Sequence, residues 1–183
     1  MKVHSLVLDH FHHLAGLSEL SNPPVLSYIG NPEILKLSLL AIFSSVKCPT
    51  SLLLKAHDLA KEISADGQAV ISGFQSPAEK EMFTVLLRGH NPIVICPARG
   101  LDGMRIPQVW REPIRTGRLL VISPFSTVIK RPTASMAVQR NLFVASLAHE
   151  VLIIHAELGS KIQQLCDELQ TLGKPVEFLE NLS

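Results

Sequence analysis

Residues 39–73 read LLAIFSSVKCPTSLLLKAHDLAKEISADGQAVISG, and their hydrophobic pattern changes period twice. The short apolar run at 39–43 is typical of a strand that is buried on both faces. Apolar residues then recur at helical spacing over 50–64, and Asp66-Gly67 ends that helix. Residues 68–72 follow, with an apolar centre at 69–71. The segment therefore predicts a strand, a helix and another strand.

The same alternation continues towards the C-terminus. Ser76-Pro77-Ala78-Glu79 combines an N-cap serine, a proline at the first helical position and a capping-box glutamate, so it predicts the start of a helix. Gly89 is expected to end that helix. Further strands are predicted over 92–96, 119–123, 151–155 and 175–179, and further helices around 107–114 and over 134–147 and 160–172.

Strands that alternate with helices are joined by right-handed crossovers, which place the strands in one parallel sheet between layers of helices. We therefore predict an α/β fold for residues 38–183: a Rossmann-like, open and mostly parallel sheet with helices on both faces. Residues 1–37 contain turn signals such as Gly30-Asn31-Pro32 and no sustained period. They are predicted to form an N-terminal adaptor segment.

The composition argues against two classes of protein. Charged residues make up 18% of the 183 residues and hydrophobic residues 46%, a balance that excludes global disorder. The longest apolar run, 37–43, is interrupted by Ser38 and is far shorter than the roughly 20 residues of a membrane-spanning helix, so no membrane association is predicted. Three scattered cysteines make no C-x-x-C motif and fit a reducing compartment, which predicts a cytoplasmic protein.

Positive charge is concentrated in residues 99–140, which contain eight basic and two acidic residues and so carry a local net charge of +6. Seven of the eight cations are arginines, whose planar guanidinium suits bidentate contact with phosphate. The segment indicates either an anion-binding surface or a solvated, loop-rich surface. Trp110, the only tryptophan, lies within it and is predicted either to stack a base or, the favoured role, to anchor packing.

Small polar residues follow the predicted strands at Ser44-Ser45, Ser72-Gly73 and Gly159-Ser160. In an open parallel sheet, ligands bind beyond the carboxyl ends of the strands, and such residues are typical of anion sites at helix starts. Arg140 lies in the otherwise apolar helix over 134–147, and an arginine is seldom fully buried unless it is paired. We therefore expect Arg140 either to face the ligand crevice or to reach solvent.

Four stretches resemble, in order, segments of a known family. The DprA/Smf DNA-processing proteins carry "pPpvLyvrGn", "vvSGla", "RNRiIagLs" and "vlVvEa…SGS", and the similar stretches here are PVLSYIGN (24–31), AVISGF (69–74), RNLFVASL (140–147) and VLIIHAELGS (151–160). The strand at 41–45 lies where that family has "vaiVGsR". The resemblance covers residues 23–180.

The resemblance implies a Rossmann-like domain that binds single-stranded DNA, forms a homodimer and, in transforming bacteria, passes DNA to a recombinase. We predict non-catalytic binding of single-stranded DNA or a nucleotide phosphate at the carboxyl ends of the strands. No cofactor is predicted. The chain departs from the family pattern where Ser44, Ser45 and Val46 replace a glycine and an arginine, and where Leu142 replaces the second arginine of "RNR". The candidate phosphate-binding residues are Ser44, Ser45, Ser72, Gly73, Phe74, Arg99, Arg140, Asn141, Gly159, Ser160 and Lys161.

Two alternative functions stay open. The cytokinin-activating phosphoribohydrolases of the same superfamily carry a "PGGxGTxxE" loop, which supplies a catalytic glutamate. Residues 157–164, ELGSKIQQ, keep one glycine and have no glutamate after it, which favours binding over hydrolysis. A nucleotide-sensing regulatory protein is the other alternative.

Other reactive residues give weaker indications. His10, His12 and His13 have no second group of ligands at a metal-like spacing, so an exposed segment is favoured over a metal site. Cys96 ends a predicted strand, and no motif pairs it with a base, so a buried structural cysteine is favoured over a nucleophile. We predict no metal site and no catalytic residue.

Overall fold

The computed structural model describes residues 1–8 and 25–182. Within these residues, eight strands form one sheet and five α-helices pack on it. The strands are β1 (His4–Val7), β2 (Val25–Ile29), β3 (Leu39–Ser44), β4 (Ala69–Ser72), β5 (Ile93–Ile95), β6 (Leu119–Ser123), β7 (Glu150–His155) and β8 (Val176–Phe178). The helices are α1 (Thr50–Ala65), α2 (Pro77–Arg88), α3 (Gln108–Arg115), α4 (Ala134–Leu147) and α5 (Lys161–Thr171). None of these helices has the length and apolar character needed to cross a membrane.

The strands lie in the order β1-β2-β6-β5-β4-β3-β7-β8. The six strands from β3 to β8 are mutually parallel, whereas β1 and β2 are joined antiparallel at one edge. The chain moves outward from β3 through β4 and β5 to β6, and α4 then returns it to β7 on the other side of β3. The winding therefore reverses between β3 and β7. The predicted Rossmann-like, mostly parallel sheet is confirmed.

Helices cover both faces of the sheet. Successive side chains of a strand point to opposite faces, and both sets are apolar here, so each face needs a layer of helices to bury it. On one face, Ala41 and Phe43 of β3 share a buried cluster with Phe143 of α4 and Leu165 of α5. On the other face, Ile42 shares a cluster with apolar residues of α1 and α2, among them Leu52, Ala56, Met82 and Leu86. The sheet is thus the middle of three layers, as predicted.

Side-chain caps precede three of the five helices, and the capping box predicted for α2 is one of them. Ser76 Oγ accepts a hydrogen bond from the Glu79 N–H at 3.2 Å, and Glu79 Oε2 accepts one from the Ser76 N–H at 3.4 Å, so a complete capping box precedes α2. Thr133 and Ser160 cap α4 and α5 through their hydroxyls. Gly89 ends α2, as predicted. The bounds of β6 and α4 match the predicted ones residue for residue.

The N-terminal residues contribute more to the sheet than their pattern indicated. β1 pairs with β2, and β2 continues the sheet through β6, with Ser27 opposite Ser123. β1 is mostly exposed and lacks the apolar alternation that identifies a strand, so periodicity could not detect it. A 3₁₀ helix, Pro32–Lys36, leads into β3. The domain boundary at residue 37 stays a prediction.

Candidate functional site

A cleft of about 330 Å³ lies where the winding of the sheet reverses, beyond the carboxyl ends of β3 and β7. We call it the switch cleft. Its walls are the turn after β3, the N-terminal end of α2, the middle of α4 and the start of α5. It brings together six residues predicted from the sequence: Ser44, Ser45, Arg140, Asn141, Ser160 and Lys161.

Arg140 is a buried cation in the wall of the switch cleft, with 4% of its surface exposed. Its Nε donates to Asn141 Oδ1 at 2.7 Å, and its Nη1 donates to the Cys96 carbonyl at 3.0 Å. Within residues 1–8 and 25–182, no carboxylate forms an ion pair with Arg140, and Nη2 has no hydrogen-bond partner. A buried charge without a counter-ion is costly, so this guanidinium favours the arrival of an anion.

Gly73 makes room for the guanidinium of Arg140. A Cβ at position 73 would lie 1.3 Å from Arg140 Nη1 and 2.0 Å from Cζ, far inside any contact distance. A side chain there must therefore displace the guanidinium. From the sequence, a glycine at this strand end was expected to let the backbone approach an anion. In the structure, the guanidinium of Arg140 occupies the space that a side chain at position 73 would need.

A chain of hydrogen bonds joins the two strand ends that flank the switch cleft. Ser45 Oγ lies 2.9 Å from Ser160 Oγ and accepts a hydrogen bond from the Glu157 N–H, also at 2.9 Å. Ser160 Oγ in turn accepts from the Gln163 N–H in the first turn of α5. The first N–H groups of a helix have no intrahelical acceptor and carry a partial positive charge, so the start of α5 adds to the attraction for anions.

Glu79 occupies the backbone donors at the end of β3. Its carboxylate accepts hydrogen bonds from the N–H groups of Ser44 at 2.9 Å, Gln75 at 2.8 Å and Ser76 at 3.4 Å. The Ser45 N–H donates to the His155 carbonyl. The backbone of this turn therefore has no free donor for a phosphate at Ser44 or Ser45. The capping pattern identified Glu79, but its bond to Ser44 spans 35 residues and has no local signal.

Ser72 and Gly159 line neither the switch cleft nor its neighbour described below. Ser72 is fully buried, and its Oγ accepts a hydrogen bond from the Phe74 N–H at 3.1 Å. Ser123 Oγ accepts from the Phe125 N–H at the same distance, because the two strand ends share a Ser-x-Phe pattern. Gly159 lies exposed in the loop before α5 with a φ of +74°, a conformation that favours glycine.

A second cleft, of about 480 Å³, lies on the other side of the loop formed by residues 73–75. Its lining includes the remaining candidates Gly73, Phe74 and Arg99, together with Phe83 and Trp110. Phe83 stacks on Phe74 and meets Trp110 edge to face. We call it the aromatic cleft. Trp110 contacts Phe83, as its predicted packing role requires, but it is only partly buried and also lines the cleft, so the choice between packing and base stacking stays a prediction.

The basic segment 99–140 does not act as one surface, because several of its arginines are engaged within the protein. Arg118 donates to the carbonyls of Leu86, Leu87 and Asn91 and so fixes the C-terminal end of α2, and burial lowers its pKa. Arg115 forms an exposed ion pair with Glu112, with 2.6 Å between Arg115 Nη2 and Glu112 Oε1. Arg140 lies in the switch cleft, Arg99 and Arg105 line the aromatic cleft, and Arg111, Lys130 and Arg131 are exposed.

Cys96, the cysteine considered from the sequence, has no catalytic setting. Cys96 is fully buried, and burial raises the pKa of its thiol to about 12, so the thiolate is absent at neutral pH. No group of three or more His, Cys, Asp or Glu side chains is placed to hold a metal ion in the part of the chain that the structure describes. His10, His12 and His13 lie outside those residues.

Comparison with known structures shows which proteins share this fold. DNA processing protein A (DprA) from Streptococcus pneumoniae superposes with a TM-score of 0.75 at 19% identity, over 97% of this chain and 62% of that protein. DNA processing protein A from Helicobacter pylori, whose structure describes a single-stranded DNA binding mode, gives 0.74 at 20% identity, over 96% and 80%. The molybdenum cofactor binding protein from Rippkaea orientalis gives 0.53 at 10% identity, over 78% and 76%. The chain thus spans less than two thirds of the pneumococcal protein.

Sequence comparison identifies the family. No curated protein matches the chain. The sequence model of the family described as DNA recombination-mediator protein A matches residues 9–168, which is most of the chain. This match confirms the resemblance inferred from the ordered motifs, and the chain belongs to the DNA recombination-mediator protein A family.

Proposed function

We propose that the switch cleft binds the phosphate backbone of single-stranded DNA, in a recombination-mediator role and without catalysis. The observation that carries the proposal is the guanidinium of Arg140, which is buried, has no carboxylate partner among the described residues and leaves Nη2 free. Arginine N–H groups form a planar fork that matches two phosphate oxygens. A phosphate at this position compensates the buried charge.

Groups on the facing wall support an anionic ligand. Lys161 is exposed at the start of α5, and Ser160 offers a hydroxyl beside it. Family membership and the single-stranded DNA described for the H. pylori relative make a DNA strand the ligand that we propose, ahead of a free nucleotide.

The hydrolase alternative gains no support from the cleft. Cleavage of a nucleoside monophosphate needs a carboxylate that is free to act on the substrate. Two carboxylates line the cleft among the described residues, and both have partners. The Glu79 carboxylate accepts hydrogen bonds from three backbone N–H groups, and Glu157 Oε1 lies 3.3 Å from Lys47 Nζ. We therefore propose binding as the activity of this site.

Binding of a labelled oligonucleotide, measured by fluorescence anisotropy, is expected to weaken as salt increases, because each phosphate contact releases counterions. The slope of log affinity against log salt should be about −0.7 for each phosphate contacted. A mononucleotide is the control, and its tighter binding would favour a nucleotide-sensing role. Salt-independent binding, or no binding at low salt, contradicts the proposal.

We also propose that the protein forms a homodimer. β8 is the last strand of the sheet among the described residues and pairs only with β7 there, so the sheet has an open edge at β8 that a partner can cover. A twofold dimer is expected at micromolar concentration. Light scattering should give twice the monomer mass; a monomer mass at high protein concentration excludes this assembly.

A further inference from the structure

The aromatic cleft combines side chains that the proposed phosphate site does not use. The ring centroids of Phe74 and Phe83 lie 4.6 Å apart, and those of Phe83 and Trp110 lie 5.7 Å apart. Both phenylalanines are buried, whereas Trp110 is only partly buried and offers accessible aromatic surface. Only 5% of the residues in the chain are aromatic, and three of them line this one cleft.

Positive charge lines the same cleft. Lys80, Arg99 and Arg105 contribute to its walls, and no acidic residue lines it in the part of the chain that the structure describes. Within the described residues, none of the three cations forms an ion pair; Arg99 donates to the Gly100 carbonyl at 3.1 Å. Aromatic surface beside unpaired cations is the chemistry that binds a nucleotide, because the base stacks and the phosphate is neutralised.

The loop between the two clefts holds a strained residue. Phe74 has a φ of +49°, which is uncommon for any residue other than glycine. The hydrogen bond from its N–H to Ser72 Oγ holds this turn, and its ring lies against Phe83. Gln75 lines both clefts, so they adjoin across a single loop.

We propose that the aromatic cleft binds the base of a nucleotide next to the phosphate held by Arg140, with Trp110 as the stacking surface. The inference rests on the proposed function of the switch cleft. Stacking tolerates every base, so the cleft adds affinity without sequence preference. It also selects single strands, because the bases of a duplex already stack on one another.

Two oligonucleotides with the same number of phosphates test this proposal, one with thymine bases and one abasic. Wild-type protein is expected to bind the thymine strand about tenfold more tightly. Trp110→Ala should abolish this difference, and Arg140→Ala should weaken binding of both strands alike. Val109→Ala is the matched control, because Val109 is the exposed neighbour of Trp110 on α3 and lines neither cleft.

The fluorescence of Trp110 gives a second readout that needs no variant, since this is the only tryptophan in the chain. The thymine strand should quench it, and the abasic strand should not. Equal affinities of wild-type protein for the two strands, or equal quenching, overturn the base site alone if binding still depends on salt and on Arg140. No binding of either strand overturns the base site and the switch-cleft proposal together.

Discussion

Replacing Arg140 with alanine is expected to weaken oligonucleotide binding by roughly ten- to a hundredfold. The guanidinium lies at the wall of the switch cleft, and its Nη2 has no hydrogen-bond partner among the described residues. Hydrogen bonds between charged groups contribute about 1.5–3 kcal/mol. Anisotropy at low salt measures the effect, and melting temperature checks that the variant is folded. Equal affinity of Arg140→Ala and wild type contradicts the assignment of the site.

Two further variants distinguish a specific contact of Arg140 with DNA from a general effect of positive charge on affinity. Arg115→Ala removes a cation that is exposed and already paired with Glu112, so its affinity should stay close to that of wild type. Gly73→Ala keeps Arg140 but pushes its guanidinium aside, so it should weaken binding as Arg140→Ala does. In the double variant the two losses should not add, because both act on the same group.

Replacing Glu79 with alanine is expected to lower the free energy of unfolding by about 3 kcal/mol or more. The change leaves the N–H groups of Ser44, Gln75 and Ser76 without their acceptor, and it removes the link between β3 and α2. In a chain of this size, such a loss corresponds to a fall in melting temperature of about 10 °C. Thermal unfolding followed by circular dichroism measures it.

Glu81→Ala is the matched control for that result. Glu81 lies on the same helix and is exposed, and among the described residues its carboxylate pairs with His57 alone. Its replacement should therefore change the stability by less than about 0.5 kcal/mol. Glu79→Gln separates the loss of charge from the loss of volume. If the melting temperatures of Glu79→Ala and Glu81→Ala coincide, the buried carboxylate does not hold the strand end.

The sequence predicts most of the fold because its signals are local. The capping box at Ser76-Pro77-Ala78-Glu79 and the apolar runs of β3 to β7 each lie within a few residues, and their alternation determines the parallel sheet. β1 was missed because an exposed edge strand needs no apolar face. The sheet therefore grows at one edge beyond the part that periodicity identifies.

The site is predicted less completely because its contacts join distant parts of the chain. Sequence motifs pointed to Arg140 and Gly73 separately, and neither pattern indicated that the guanidinium fills the space above the glycine. Likewise, Ser44 was expected to offer a donor to phosphate, and Glu79 had already taken it. Such relations follow from the order of strands in the sheet, which brings the ends of β3 and β4 together.

The return of α4 from β6 to β7 has a consequence for synthesis on the ribosome. Six of the eight strands that the structure describes, β1 to β6, are complete in sequence before α4, β7 and α5 emerge, so a nascent chain can build most of the sheet early. At that stage β3 is an open edge, and the walls of the switch cleft that contain Arg140 and Ser160 do not exist. Under the proposed function, an unfinished chain cannot compete with finished copies for DNA, but its exposed strand is a place where unfinished chains can aggregate.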